Sequence, residues 1–298
     1  MKVTYIGHAT LLLEIGSVRL LTDPNFDPKL GGFLPRVRPP GVPLDRLPAL
    51  DALLITHAHA DHLSFDSLDA LPRDIPLYAP PVIARWLRRR GYTSAEPIPP
   101  GESARIGDVS IHAALATHRG NRYGVDRWRG AANMYLLDTG KESCFFAGDT
   151  ALTPSTHRLV HDTIVETGRQ LDIALLPIGY APKWKPGFRR GHLTHEDALV
   201  LFERLGGRVL VPYHWGTFHH VTSRAHDAIV RLVARLKEHH LRSAVRILEP
   251  GETLELTRDA DRMSSHPARR AVDRAFSGAR ETATDGDPRR GSGPRAPQ

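Results

Sequence analysis

The run Thr56-His57-Ala58-His59-Ala60-Asp61-His62 constrains this chain more than any other feature. It follows directly on a short apolar stretch at 52–56, which reads as a strand. Four side chains able to bind a metal fall within six residues, separated only by alanine. A strand points alternate side chains apart, but the turn after it can gather them around one point. Neutral imidazoles with one carboxylate form a ligand mix suited to zinc, and also to iron or manganese. A solvated polar turn would account for a single histidine. It does not account for four ligands placed immediately after an apolar strand.

Composition narrows the chemistry. With 298 residues the chain can build a large core in one or two domains. A hydrophobic share of 41% and a charged share of 24% exclude a wholly disordered protein. The single cysteine, Cys144, excludes an internal disulfide and a thiolate-rich zinc site, so any metal ligands are nitrogen or oxygen. Cys144 lies among core positions of a strand and reads as a buried apolar filler. Of the net charge of +7, residues 258–298 carry +3 (nine Arg, six acids), which leaves +4 on residues 1–257. No run approaches the roughly 18 apolar residues of a membrane span. Gly7, His8 and Glu14 break up the N-terminal apolar stretch, which reads as strand and not as signal peptide. The expected location is cytoplasmic.

The pattern predicts strands at 3–6, 10–15, 18–22, 52–56, 108–116, 132–138, 143–147, 171–177, 208–211, 244–248 and 253–256. It predicts helices at 64–71, 81–90, 154–168, 195–205 and 224–240. The strands form two groups, each followed by helices. That arrangement implies one domain over 1–257, a sandwich of sheets with helices outside it. Residues 258–298 are poor in large apolar side chains and read as a disordered basic tail. Three more metal-ligand candidates, His118, Asp149 and His214, each lie just past a predicted strand, where site-forming loops collect.

With these residues in view, the chain resembles the metallo-β-lactamase superfamily, whose mark is the His-X-His-X-Asp-His run. Within it, the chain is most similar to the branch containing N-acylphosphatidylethanolamine-hydrolysing phospholipase D. The closer match is carried by Tyr5-Ile6-Gly7-His8-Ala9-Thr10, Leu21-Thr22-Asp23-Pro24 and Phe145-Phe146-Ala147-Gly148-Asp149-Thr150. Pro177-Ile178-Gly179-Tyr180, His192 with Glu196-Asp197-Ala198, and His214-Trp215-Gly216-Thr217-Phe218 continue it in order.

The resemblance implies an α/β fold, an αββα sandwich, around a dinuclear site for two divalent ions, zinc first, with manganese or iron as alternatives. It implies that His57, His59 and His118 hold one ion, that Asp61, His62 and His214 hold the other, and that Asp149 bridges them. The implied reaction is hydrolysis of a phosphodiester by a metal-activated hydroxide. The catalytic residues would be Asp61, orienting the hydroxide, and His192, protonating the leaving oxygen.

A lactonase of the ascorbate-6-phosphate type is the alternative within the same group. Nucleic-acid processing or binding is the alternative from another class. The ligand segments are 56, 31 and 65 steps apart (62 to 118, 118 to 149, 149 to 214), which leaves no room for a large added nuclease domain. Nor is a nucleic-acid-binding motif recognisable, so nucleic acid is not an expected partner. Loops at 119–129 and 183–190 mix cations with aromatics. With Tyr180, they offer Trp128, Lys185 and Arg189 as candidate contacts for a small anionic or phospholipid-like substrate. Such a mouth would also allow transient contact with a membrane surface. His8, His219 and His220 are expected near the site as non-ligands.

Overall fold

Strand periodicity places alternate side chains on opposite faces, and this sorting builds two sheets with two apolar layers. The structure, a computed structural model, describes residues 1–122, 128, 130–179, 189–219 and 224–257. The predicted tail at 258–298 lies outside the described residues.

Strands β1 (Lys2–Gly7), β2 (Thr10–Ile15) and β3 (Val18–Thr22) form an antiparallel meander. A small hairpin of β4 (Lys29–Leu30) and β5 (Leu34–Pro35) follows. Strands β6 (Ala52–Leu54), β7 (Leu77–Ala79) and β8 (Ala95–Pro97) then extend the sheet in parallel from β3. The second sheet contains β9 (Ser103–Ile106), β10 (Val109–Leu115), β11 (Asn133–Asp138) and β12 (Ser143–Phe146), paired antiparallel. Strands β13 (Ile173–Pro177) and β14 (Val209–Tyr213) continue it in parallel. Finally β15 (Thr253–Glu255) returns to pair with β1 on the first sheet.

Alternation decides which face each residue serves. Leu11, Leu13 and Ile15 of β2 join Leu20 of β3 in the layer facing the second sheet. Leu12, Leu21 and Leu53 point the other way. There they meet Leu68 of α1 (Phe65–Asp69) and Ile83 and Leu87 of α2 (Pro81–Arg89). Beyond α3 (Arg158–Thr163), the far face of the second sheet is covered by α4 (His195–Leu205) and α5 (Asp227–Leu236). These helices bury Leu201, Phe202, Leu232 and Val233. The layers therefore run helix, sheet, sheet, helix. Each fully buried Leu, Ile or Phe contributes about 1.5–3 kcal/mol.

Local signals set the helix ends. The α4 N-terminus is closed by a reciprocal capping box: Asp197 N–H donates to Thr194 Oγ1 at 3.1 Å, and Thr194 N–H donates to Asp197 Oδ2 at 3.0 Å. Gly206, at φ 60°, ends it.

The structure departs from the sequence pattern in several places. Strands β4, β5, β7, β8 and β9 lie in stretches to which the pattern assigns no strand, β7 and β8 being set among prolines at 76, 80 and 97. The helix expected at 154–168 is only α3, followed by a 3-10 turn at Val165–Thr167 that closes on Gly168. The strand expected at 244–248 is a 3-10 turn at His240–Ala244 and a single bridge from Val245 to Leu210.

Cys144 is buried in β12, and burial pushes its thiol well above the usual range. Native protein should therefore not react with a thiol-specific chromogenic disulfide, whereas denatured protein should release one equivalent per chain.

Candidate metal centre

Strand direction brings the site together. In the first sheet β3 and β6 are parallel, and β1 runs the same way because two antiparallel pairings separate it from β3. In the second sheet β10, β12, β13 and β14 share one direction by the same reasoning. The residues that follow these strands gather into two groups. One is His57, His59, His118 and Asp149; the other is His8, Asp61, His62 and His214. Within each group the ligand atoms lie within 4.8 Å of one another.

In the first group, His59 Nδ1 lies 3.0 Å from both His57 Nε2 and His118 Nε2. In the second, His62 Nε2 and His214 Nε2 are 3.2 Å apart, and Asp61 Oδ2 stands 3.5 Å from the latter. Asp149 reaches both groups. Its Oδ2 is 3.5 Å from His62 Nε2 and its Oδ1 3.5 Å from His214 Nε2. Ligands arranged tetrahedrally at about 2.0–2.1 Å from zinc stand about 3.3 Å apart, which these spacings match.

Hydrogen bonds behind the rings fix which nitrogen faces inward. A carbonyl can only accept, so His118 Nδ1–H donates to Gly191 O at 2.7 Å and leaves its Nε2 lone pair for the site. His62 Nδ1–H donates to Asp23 Oδ2 at 2.8 Å in the same way. The Thr56 hydroxyl donates to Asp23 Oδ2 at 2.6 Å, so its oxygen accepts from His57 Nδ1–H at 3.0 Å. The Thr56 N–H also donates to Asp23 Oδ1 at 2.7 Å. One fully buried carboxylate thus orients two histidines. Such outer partners of metal-binding histidines set tautomer and ring direction.

The electrostatics call for a cation. Burial lowers the pKa of His57 well below its ordinary value and that of His118 to about 3, so these rings are neutral donors. Burial also opposes charge on His62, yet Asp149, Asp61 and Asp23 hold its imidazole well above the ordinary value. Burial would raise Asp149 too, but His214, His62 and His192 hold it well below the carboxylate range. Asp149 Oδ1 is buried without a hydrogen-bond partner. Divalent cations would supply the positive charge that these carboxylates otherwise draw from His62. The donor set, the spacing and the orphaned oxygen all fit such ions.

The backbone is shaped to the same end. Among the described residues the non-glycine positions with positive φ are His8, Asp23 and His214, all at this site. A Cβ on Gly179 would stand 2.2 Å from His214 Nδ1, so only glycine leaves room for that ring. Arg122 is buried and donates from Nη1 to Leu63 O and Ala58 O, clasping the histidine turn from outside.

The structure therefore brings together all seven residues singled out as metal ligands, with His192 beside them. His192 Nε2 is 3.4 Å from Asp149 Oδ2, and its ring meets that of His118 edge-on at 4.8 Å. Asp61 departs from expectation in one respect: its Oδ2 is engaged by His8 Nε2 at 2.9 Å. Trp128 is 5% exposed, and its ring meets that of Trp86 edge-on at 4.9 Å in the outer apolar layer. Arg189 Nη2 lies 3.7 Å from Asp197 Oδ2 at the start of α4. Lys185, Tyr180 and His220 lie outside the described residues. His219 Nδ1 accepts from Ala225 N–H at 3.1 Å.

In the sequence Asp23 stands out only as part of the run Leu21-Thr22-Asp23-Pro24. The Asp-Pro step after an apolar strand gave no sign that this carboxylate would meet Thr56 and His62.

Residues 18–215 match the model of the beta-lactamase superfamily domain. The chain belongs to the metallo-β-lactamase superfamily of metal-dependent hydrolases. A metal-dependent hydrolase of Deinococcus radiodurans is 30% identical over 261 residues, covering 86% of this chain and 100% of the relative. N-acyl-phosphatidylethanolamine-hydrolyzing phospholipase D 1 of Caenorhabditis elegans is 25% identical over 232 residues, covering 72% of this chain and 64% of the relative. In fold, the crystal structure of isothiocyanate hydrolase from Delia radicum gut bacteria superposes with a TM-score of 0.70 at 22% identity. That match covers 86% of this chain and 99% of the other. Among the described residues no helix is long and apolar enough to cross a membrane.

For this superfamily member Asp23→Asn should weaken metal binding about 10- to 100-fold, as loss of an outer-sphere partner does. Competition of the apo-protein against a chromophoric chelator measures this; unchanged affinity would remove Asp23 from the assembly of the site.

Proposed function

We propose that this chain is a dinuclear metal-dependent phosphodiesterase of phospholipase D-like type. The observation that carries the reading is that Asp149 stands between two complete groups of nitrogen and oxygen donors. His57, His59 and His118 would hold one divalent ion, and Asp61, His62 and His214 the other, zinc being the best fit to this donor set. Divalent ions held by these residues would supply Lewis-acid chemistry, activating water near neutral pH and offsetting negative charge on a substrate oxygen.

The protein's own residues do the rest. Asp149, buried and bearing its charge, fixes the spacing of the two groups. Asp61 orients the attacking oxygen. His192 holds a proton at Nε2 beside Asp149 and delivers it to the departing oxygen. The similarity to the phospholipase D of Caenorhabditis elegans supports the phosphodiester class. A hydrolase of anionic substrates also suits a domain of mild positive charge, with a small polar or phospholipid-like diester as substrate and contact with a membrane surface only in passing.

Purified protein should carry about two metal ions per chain and hydrolyse bis(p-nitrophenyl) phosphate, and a chelator should abolish the activity. Asp149→Ala should lower turnover by about 1,000-fold or more. Activity indifferent to both treatments would refute the mechanism. N-acyl phospholipids and sugar lactones assayed side by side separate the diesterase from a lactonase.

The role of His192 has its own signature. His192→Ala should cost about 100-fold or more in kcat on an alkyl phosphodiester, whose leaving oxygen needs a proton. It should cost far less on the p-nitrophenyl ester, whose leaving group departs as a stable anion. Equal losses on both substrates would argue against proton delivery by this residue.

A further inference from the structure

His8 lies outside the seven ligand positions, yet it meets Asp61, His62 and His214. Gly7, at φ 145°, and His8, at φ 57°, turn the chain sharply at the end of β1. That turn carries the His8 side chain inward, where it is 7% exposed. Its carbonyl accepts the His214 N–H at 2.9 Å, and its ring centroid lies 3.9 Å from that of His214. Phe218 closes on the ring edge-on at 5.4 Å. Two residues in the left-handed region thus lock each other in place, a strain that persists only where the surroundings enforce it.

The side chain does a second thing. His8 Nε2 is 2.9 Å from Asp61 Oδ2, and a carboxylate can only accept, so Nε2–H is the donor. The remaining nitrogen, Nδ1, is buried with no hydrogen-bond partner. The bond to Asp61 is therefore the polar contact that fixes the ring's tautomer and direction. The oxygen it engages is the one that faces His62 Nε2 at 3.7 Å and His214 Nε2 at 3.5 Å. No corresponding contact joins His8 to His57, His59 or His118 among the described residues.

We propose that His8 is a positioning residue for one ion of the pair, that of Asp61, His62 and His214. It aims Asp61 Oδ2 through Nε2–H and sets His214 through its tilted ring contact and its carbonyl. The proposal rests on the dinuclear reading above. It makes the two sites unequal: losing His8 loosens one and spares the other.

The test is a titration of metal-free protein with Zn²⁺ against a chromophoric chelator, resolving two dissociation constants, with Co²⁺ absorption as a second readout. His8→Ala should leave one constant within about threefold and weaken the other about 10- to 100-fold. His8→Gln places an amide N–H near the former Nε2 and should recover most of that loss. Thermal melts of the metal-free variants report folding, and where His8→Ala does not fold, His8→Met fills the space without a donor and replaces it.

Wild-type affinity at both sites in the variant lacking the donor would overturn the proposal. So would equal weakening of both sites, which marks a merely structural role. Failure of His8→Gln to recover the second ion would overturn it too, since a direct ligand behaves that way. If the wild type itself takes up a single ion, the dinuclear reading fails, and the positioning role fails with it.

Discussion

A fully buried carboxylate, that of Asp23, is the constraint on which the rest of the site depends. A charge taken out of water is tolerated only where donors surround it. Here the donors are the Thr56 amide, the Thr56 hydroxyl and His62 Nδ1–H. Satisfying Asp23 therefore ties the end of β3 to the end of β6. It also dictates how two of the site histidines turn. The core and the metal centre are joined through this one anion, which is why a residue that touches no proposed ion belongs to the chemistry.

The second consequence is electrical. Asp61 and Asp149 face inward among buried imidazoles, and burial disfavours charge on all of them. Cations held at the centre would resolve the conflict. The sandwich makes this arrangement available because strands from both sheets end at one rim. The strain recorded at His8, Asp23 and His214 shows what holding the pattern requires of the backbone.

Much of this was legible beforehand where the information is local. The apolar run before Thr56, the spacing of His57, His59, Asp61 and His62, and the Thr194–Asp197 capping pair each act within a few residues. Strands β7 and β8, set among prolines at 76, 80 and 97, offered no such local signal. Trp128 shows a different limit. An aromatic beside cations looks the same in sequence whether it lines a mouth or packs against Trp86, and only the fold brings Trp86 to it. Arg122 is a similar case: a cation in a basic loop that the fold turns into a clasp on Leu63 and Ala58.

The sequence by itself determined the ligand chemistry. One cysteine, a dense histidine turn and three further donors placed after strands leave nitrogen and oxygen as the ligands, whatever the packing. Tertiary structure alone decided what Asp23 and His8 do. Asp23 is 39 residues from His62 and His8 is 53 from Asp61, separations over which no spacing rule operates. Their partners follow from parallel strand ends meeting at one rim, and that meeting is a property of the packed sheets.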